Sequence, residues 1–204
     1  MSIYLLKSRF QNVLRPVVKQ LFNMGVTANQ ITVLTCMISV GLGIALVLYT
    51  PNSLPFLMLP AWMFIRMACN AIDGMLAREF GQKSALGAYL NELADVISDT
   101  ALYMPFAYLP QFSPLAVVAV IIMSIIVEMA GCVALQTGAS RRYDGPFGKS
   151  DRAFAFGTLA LAIGLGMQPS PWLKWFFPFM GLLCTFTLFN RIRQGLYEVK
   201  QKAL

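Results

Sequence analysis

Apolar residues come in long runs along this chain, and the polar ones fall between them. Six runs lie near the roughly 20 residues that a bilayer requires. They cover 30–49, 54–78, 86–109, 114–137, 153–167 and 172–189, the fifth being short and the third broken by polar residues. No two-residue alternation and no internal repeat competes with a helical reading. Ahead of them, residues 1–24 mix Lys7, Arg9, Arg15 and Lys19 with Leu, Phe and Val and have no long apolar core. That is the pattern of an amphipathic helix on an anionic membrane surface, not of a cleavable signal. Thr27 or Asn29 then caps the next helix. The pattern predicts an all-α integral membrane protein with six transmembrane helices and an N-terminal interfacial helix. Residues 1–204 form one membrane-embedded domain, with the six-helix bundle over 30–189 and a basic tail over 190–204.

Composition sharpens this. Hydrophobic residues make up 57% of the chain and charged ones 12%, against about 25% charged in a soluble domain. There is no His, which excludes His-based catalysis and the usual zinc sites. Cys36, Cys69, Cys132 and Cys184 lie in apolar segments without a C-x-x-C pair and read as small buried thiols. Fourteen of the 16 basic residues fall in the N-terminal segment, the Arg78–Lys83 turn, the Arg141–Arg152 loop and the tail. Six alternating helices put all four places on one side, so both termini face the cytoplasm. The net charge of +7 suits anionic membrane lipids and an anionic substrate. With no basic domain outside the membrane, nucleic acid is not the expected partner.

Inside this apolar chain, residues 70–99 are rich in acids, amides and small residues. Positions three, four and seven apart share a helical face. Asn70, Asp73, Gly74 and Ala77 therefore line one stripe, and Asn91, Asp95 and Asp99 line another beyond a short turn. A helix–turn–helix makes the stripes face each other. Converging oxygen ligands from Asn70, Asp73, Asn91 and Asp95 suit Mg²⁺ or Mn²⁺. Gly74, Ala77 and Gly87 let a phosphate-bearing ligand approach the backbone, and Arg78 pairs with a phosphate or a carboxylate. Antiparallel helices bring Arg66 and Asp99 to similar depth, which predicts an ion pair between them. Glu128 either lines the cavity and partly replaces the negative charge absent at Asn70 and Asn91, or pairs with Arg66 or another basic group. The loop after the fourth run carries Arg141, Arg142, Gly145, Gly148, Lys149, Asp151 and Arg152. Its glycines, helix start and cations make Lys149 and Arg152 a candidate phosphate clamp, with Arg141 and Arg142 serving topology.

The stretch resembles the CDP-alcohol phosphotransferase (CDP-alcohol phosphatidyltransferase) signature D-x-x-D-G-x-x-A-R-x8-G-x-x-x-D-x-x-x-D. Asp73, Gly74, Ala77, Arg78, Gly87 and Asp95 match it with the eight-residue gap intact, while Asn70 and Asn91 stand where the pattern has acids. A bacterial subgroup, the YnbA type, is similar through Asn91–Glu92 and through G-P-F-G-K-S-D-R from Gly145. The resemblance implies transfer of a phosphatidyl group from CDP-diacylglycerol to an alcohol acceptor, with release of CMP and divalent-metal dependence. It implies that Asp95 is the catalytic base and that Asn70, Asp73, Gly74, Ala77, Arg78 and Gly87 hold the CDP part. Lys149, Arg152 and Glu128 are the candidate contacts to a phosphate or the acceptor, and the basic loop favours a phosphorylated acceptor. A homodimer in the bacterial cytoplasmic membrane is implied by the resemblance alone. The rival reading is a lipid-binding protein or small transporter. Against it, the polar residues cluster near one side and no inverted repeat is visible.

Overall fold

The computed structural model of the chain describes residues 3–50 and 52–202, with side chains from Arg9 onward. The first two residues, the side chain of Lys7 and the last two residues of the tail lie outside the described part. All regular structure among the described residues is helical: α1 (Ile3–Asn23), α2 (Ala28–Leu48), α3 (Met58–Glu79), α4 (Ala85–Tyr103), α5 (Pro114–Gln136), α6 (Lys149–Gly164) and α7 (Phe176–Lys202). Four segments are long and apolar enough to cross a membrane: Ala28–Leu48, Leu54–Glu79, Pro114–Gln136 and Pro171–Lys202. Their outward residues suit hydrocarbon, as Leu34, Met37 and Ile44 of α2, Ile122 and Met129 of α5, and Phe179 and Phe186 of α7 show. α4 carries Glu92, Asp95 and Asp99, and α6 has only 16 residues. The apolar pattern alone therefore establishes four spans, not six.

Local chemistry sets the helix ends. Thr27 caps α2: its hydroxyl accepts from the Gln30 N–H at 3.3 Å, and the Gln30 side chain accepts from the Thr27 N–H at 2.9 Å. Such a cap contributes about 1 kcal/mol and leaves the Asn29 side chain available. Ser84 caps α4 by accepting from the Gly87 N–H at 2.9 Å. Gly81, at φ +70, turns the chain between α3 and α4 where other residues are strained. The third apolar run does not continue as one helix. Pro105 removes a backbone donor, and a 3-10 turn over Met104–Tyr108 takes over from α4. α6 starts earlier than its apolar run, because Asp151 accepts from the Gly148 N–H at 2.8 Å and fixes the first turn.

α2 lies along α4, and α5 along α7. Within a bilayer, helices associate through close packing of small residues more than through the hydrophobic effect. A Cβ on Gly43 would sit 2.2 Å from the Ala101 carbonyl oxygen, so α2 and α4 meet backbone to backbone there. At one end of the bundle Tyr103 stacks on Phe156 at 3.7 Å, and Phe56, Phe106, Phe112 and Phe177 pack around them. This aromatic core braces the end away from the α3–α4 turn. At the turn end, α1 lays Val18 with Leu14 and Leu21 against Ile72, Met75 and Leu76 of α3.

Candidate functional site

The α3–α4 turn, the start of α2 and the end of α5 enclose a cleft of about 890 Å³, within the roughly 300–1,000 Å³ usual for small-molecule sites. Asp73, Gly74, Ala77 and Arg78 line it from α3, Gly87, Asn91 and Glu92 from α4, and Asn29 and Thr32 from α2. Asp73 is buried, and its Oδ2 accepts from the Thr32 hydroxyl at 2.7 Å. Gly74 and Gly87 are open for a reason visible in their surroundings. A Cβ on Gly74 would lie 2.8 Å from the Arg78 guanidinium, and one on Gly87 would lie 2.9 Å from the Asn29 amide oxygen. Both polar groups thus lie over bare backbone at the cleft wall. Gln82 ties the turn to the α1–α2 elbow by accepting from the Ala28 N–H at 2.7 Å.

Asp95 is the hub at the base of the two motif helices. Its Oδ1 takes the Asn70 amide at 3.1 Å and the Arg66 guanidinium at 3.1 Å, and forms an ion pair with Lys149. Arg66 also pairs with Asp99, as depth on antiparallel helices predicts, and donates to the Asp95 carbonyl at 3.1 Å. Three donors on one oxygen fix the orientation of the Asp95 side chain. Because Asn70 spends its NH₂ on Asp95, its carbonyl oxygen remains as a donor to a cation. Among the described residues no three His, Cys, Asp or Glu side chains converge as a metal cage. The oxygen donors are instead two carboxylates, Asp73 and Asp95, with the amides Asn70 and Asn91. That set fits Mg²⁺ or Mn²⁺, hard ions held through one or two carboxylates together with substrate phosphates.

Asn70 and Asp95 are not among the residues that line the cleft, and two further expected contributors lie elsewhere. Glu128 and Arg152 line no part of the cleft; they are buried against each other, Arg152 Nη2 2.7 Å from Glu128 Oε1. Glu128 also receives Arg191 and Arg141, each at 3.4 Å. Its geometry is that of the ion-pair alternative, and Arg152 is walled off from any phosphate in the cleft. Arg191 belongs to this buried cluster rather than to the lipid-facing tail. Lys149 does reach the site, through Asp95. Cys132, expected to be a plain buried thiol, lines the cleft 3.4 Å from Glu92. Thr32, Gln82 and Lys83 also line it. Apolar periodicity cannot point to them, although Thr32 ends the T-x-N-x-x-T stretch that starts α2.

On the other side of Asn70 and Lys149, an apolar groove of about 560 Å³ runs between α3 and α6, lined by Pro60, Met63, Phe64, Met67 and Phe154. Arg66, Asn70 and Lys149, the three partners of Asp95, all line this groove, while Asp73, one turn from Asn70 on α3, lines the cleft.

Comparison with known proteins places this geometry. The family model described as CDP-alcohol phosphatidyltransferase matches residues 25–189. The inner membrane protein YnbA of Escherichia coli is 43% identical over 196 residues, covering 96% of this chain and 97% of that protein. An archaetidylinositol phosphate synthase of Aeropyrum pernix is 31% identical over 117 residues, 52% of this chain and 60% of that one. The same fold occurs in crystal structures of the Mycobacterium tuberculosis phosphatidylinositol phosphate synthase PgsA1. The complex with manganese and citrate gives a TM-score of 0.69 at 21% identity, covering 89% of this chain and 88% of that one. The form with CDP-DAG bound gives 0.68 at 22% identity, covering 92% and 94%. The signature spacing, the facing stripes of α3 and α4 and these relatives agree: the chain belongs to the CDP-alcohol phosphatidyltransferase family.

Proposed function

We propose that the cleft transfers the phosphatidyl group of CDP-diacylglycerol to the hydroxyl of an alcohol and releases CMP. One observation carries this reading. Asp73 lines a polar cleft walled by bare glycine backbone, and Asn70, one turn away on α3 and bonded to Asp95, lines an apolar groove. A CDP-linked lipid has that same division, a nucleotide diphosphate at one end and acyl chains at the other. In this reading Asn29, Gly74, Ala77, Arg78, Lys83 and Gly87 receive the CDP part, and the α3–α6 groove receives a chain. The alcohol oxygen attacks the phosphorus bearing the diacylglycerol, and the bond from that phosphorus to the bridging oxygen breaks. CMP leaves with the bridging oxygen, and the alcohol proton passes to the Asp95 carboxylate. Asp73, Asn70, Asn91 and Asp95 would hold a divalent cation, Mg²⁺ or Mn²⁺. Once bound, it neutralises the diphosphate and the leaving phosphate.

The membrane arrangement is part of the same proposal. α4 and α6 complete a six-helix crossing, their polar groups turned inward to Arg66, Lys149 and Glu128, where intramembrane charges find partners. The cleft and both termini then face the cytoplasm, on the side of Arg78, Lys83 and the basic loop. Exposed Arg9, Arg193 and Lys200 suit anionic headgroups. The homodimer rests on family likeness alone.

The test is CMP release by purified protein given CDP-diacylglycerol, a divalent cation and a panel of alcohols. Release coupled to a new phospholipid, falling about 10²–10⁴-fold in Asp95→Asn, supports the proposal. Unchanged release by the variant would remove Asp95 from the role of base.

A further inference from the structure

The basic loop between α5 and α6 reads in sequence as a phosphate clamp, yet its cations are already matched by carboxylates of the chain. Arg142 lies 2.7 Å from both Asp144 and Glu198. Lys149 pairs with Asp95, and Arg141 with Glu92. Arg152 is 2.7 Å from Glu128, and Arg191 of α7 joins the same carboxylate at 3.4 Å. Arg191 further donates to the Val127 carbonyl at 2.6 Å. These five cations, with Arg66 on Asp95 and Lys202 on Glu198, face five carboxylates, Glu92, Asp95, Glu128, Asp144 and Glu198.

Glu128 sits where an incoming anion would have to go. Three guanidinium groups, from Arg141, Arg152 and Arg191, converge on its carboxylate. A space beside it that Arg152 also lines is about 10 Å³, room for about one water. Arg152 is 0% exposed, so no phosphate reaches it from the cleft. The cations that line the cleft without a carboxylate partner among the described residues are Arg78 and Lys83. Both stand in the part of the cleft given to the diphosphate of the donor.

We infer that Glu128 fills, with the chain's own carboxylate, the anion site that the loop arginines would otherwise form, and that the acceptor is a hydroxyl compound carrying no phosphate. The inference rests on the reading of the cleft as a phosphatidyl-transfer site and reverses the expectation drawn from the basic loop. A phosphomonoester brings about −1.5 to −2 charges at neutral pH. In the cleft it would meet Glu92, whose cation Arg141 is already engaged. Like charges set side by side are strongly disfavoured.

Paired acceptors test this: glycerol against glycerol 3-phosphate, inositol against inositol phosphate, and serine against phosphoserine. Each is given to the purified protein with CDP-diacylglycerol and Mn²⁺, and both CMP and the lipid product are measured. Turnover of an unphosphorylated member, at a kcat/KM at least about 100-fold above its phosphorylated partner, supports the inference. An equal or better phosphorylated partner overturns it while leaving the transferase reading in place. No release with any acceptor removes that reading, and the inference with it. A second readout needs neither metal nor turnover. In Glu128→Ala the three arginines lose their carboxylate and the side chain that fills its place, and Arg141 opens onto the cleft, so inorganic phosphate should raise its melting temperature in detergent more than that of the unaltered protein. A folded variant with an equal response overturns the inference; if the variant does not fold, the paired kcat/KM comparison decides.

Discussion

Thr32 illustrates what single residues do here. Its hydroxyl holds Asp73 Oδ2 at 2.7 Å in a buried setting, as groups behind metal ligands commonly do. Thr32→Val keeps the shape and deletes that bond. The Mn²⁺ concentration giving half-maximal CMP release should rise about 10–100-fold, checked by metal titration of the purified variant. An unchanged requirement would mean that Asp73 needs no orienting partner. The motif residues themselves were legible because helical periodicity and a fixed gap are properties of the chain alone. Partner choice was not. Glu128 and Arg152 are 24 positions apart on separate helices, and only the packing of α5, α6 and α7 selects that pairing. Arg66 and Asp99 were legible because a short turn forces α3 and α4 to match in depth.

Helices carry these residues into place, and their close approaches are as decisive as the polar contacts. α2 presents Thr32 and α4 presents Asp95, and the two helices touch at Gly43 and Ala101. Gly43→Ala puts a methyl group 2.2 Å from the Ala101 carbonyl oxygen, so the helices must move apart. A loss of about 1–3 kcal/mol is expected, read as a lower melting temperature in detergent together with slower CMP release. Gly41, on the open face of the same helix with nothing near its missing Cβ, should tolerate Ala without loss. Equal effects at the two positions would remove the close helix contact as the cause. Existence and type of every helix followed from apolar runs and amphipathic spacing, whereas the ends followed from caps. Pro105 stops α4 early, and the Asp151 bond to Gly148 starts α6 inside a charged segment that hydropathy assigns to a loop.

At the scale of the whole molecule, the bundle divides into an aromatic end and a polar end, with Asp73 on a polar cleft and the Asp95 partners Asn70 and Lys149 on an apolar groove. Four helices announce the membrane by composition; α4 does not because three acids interrupt it, and α6 does not because it has only 16 residues. Tags at both termini should be accessible only from the cytoplasmic side of intact cells, as protease protection would show; one tag on each side would break the six-helix arrangement. That Asp73 and Asp95 bring a divalent cation to the diphosphate of a CDP-linked lipid is the step on which the proposed reaction depends. It is met most directly by titrating Mn²⁺ into purified protein with CDP-diacylglycerol present and following the bound ion by electron paramagnetic resonance. A bound ion is expected whose affinity falls at least about tenfold in Asp73→Asn, whereas equal Mn²⁺ binding by the variant and the unaltered protein would mean that Asp73 holds no cation.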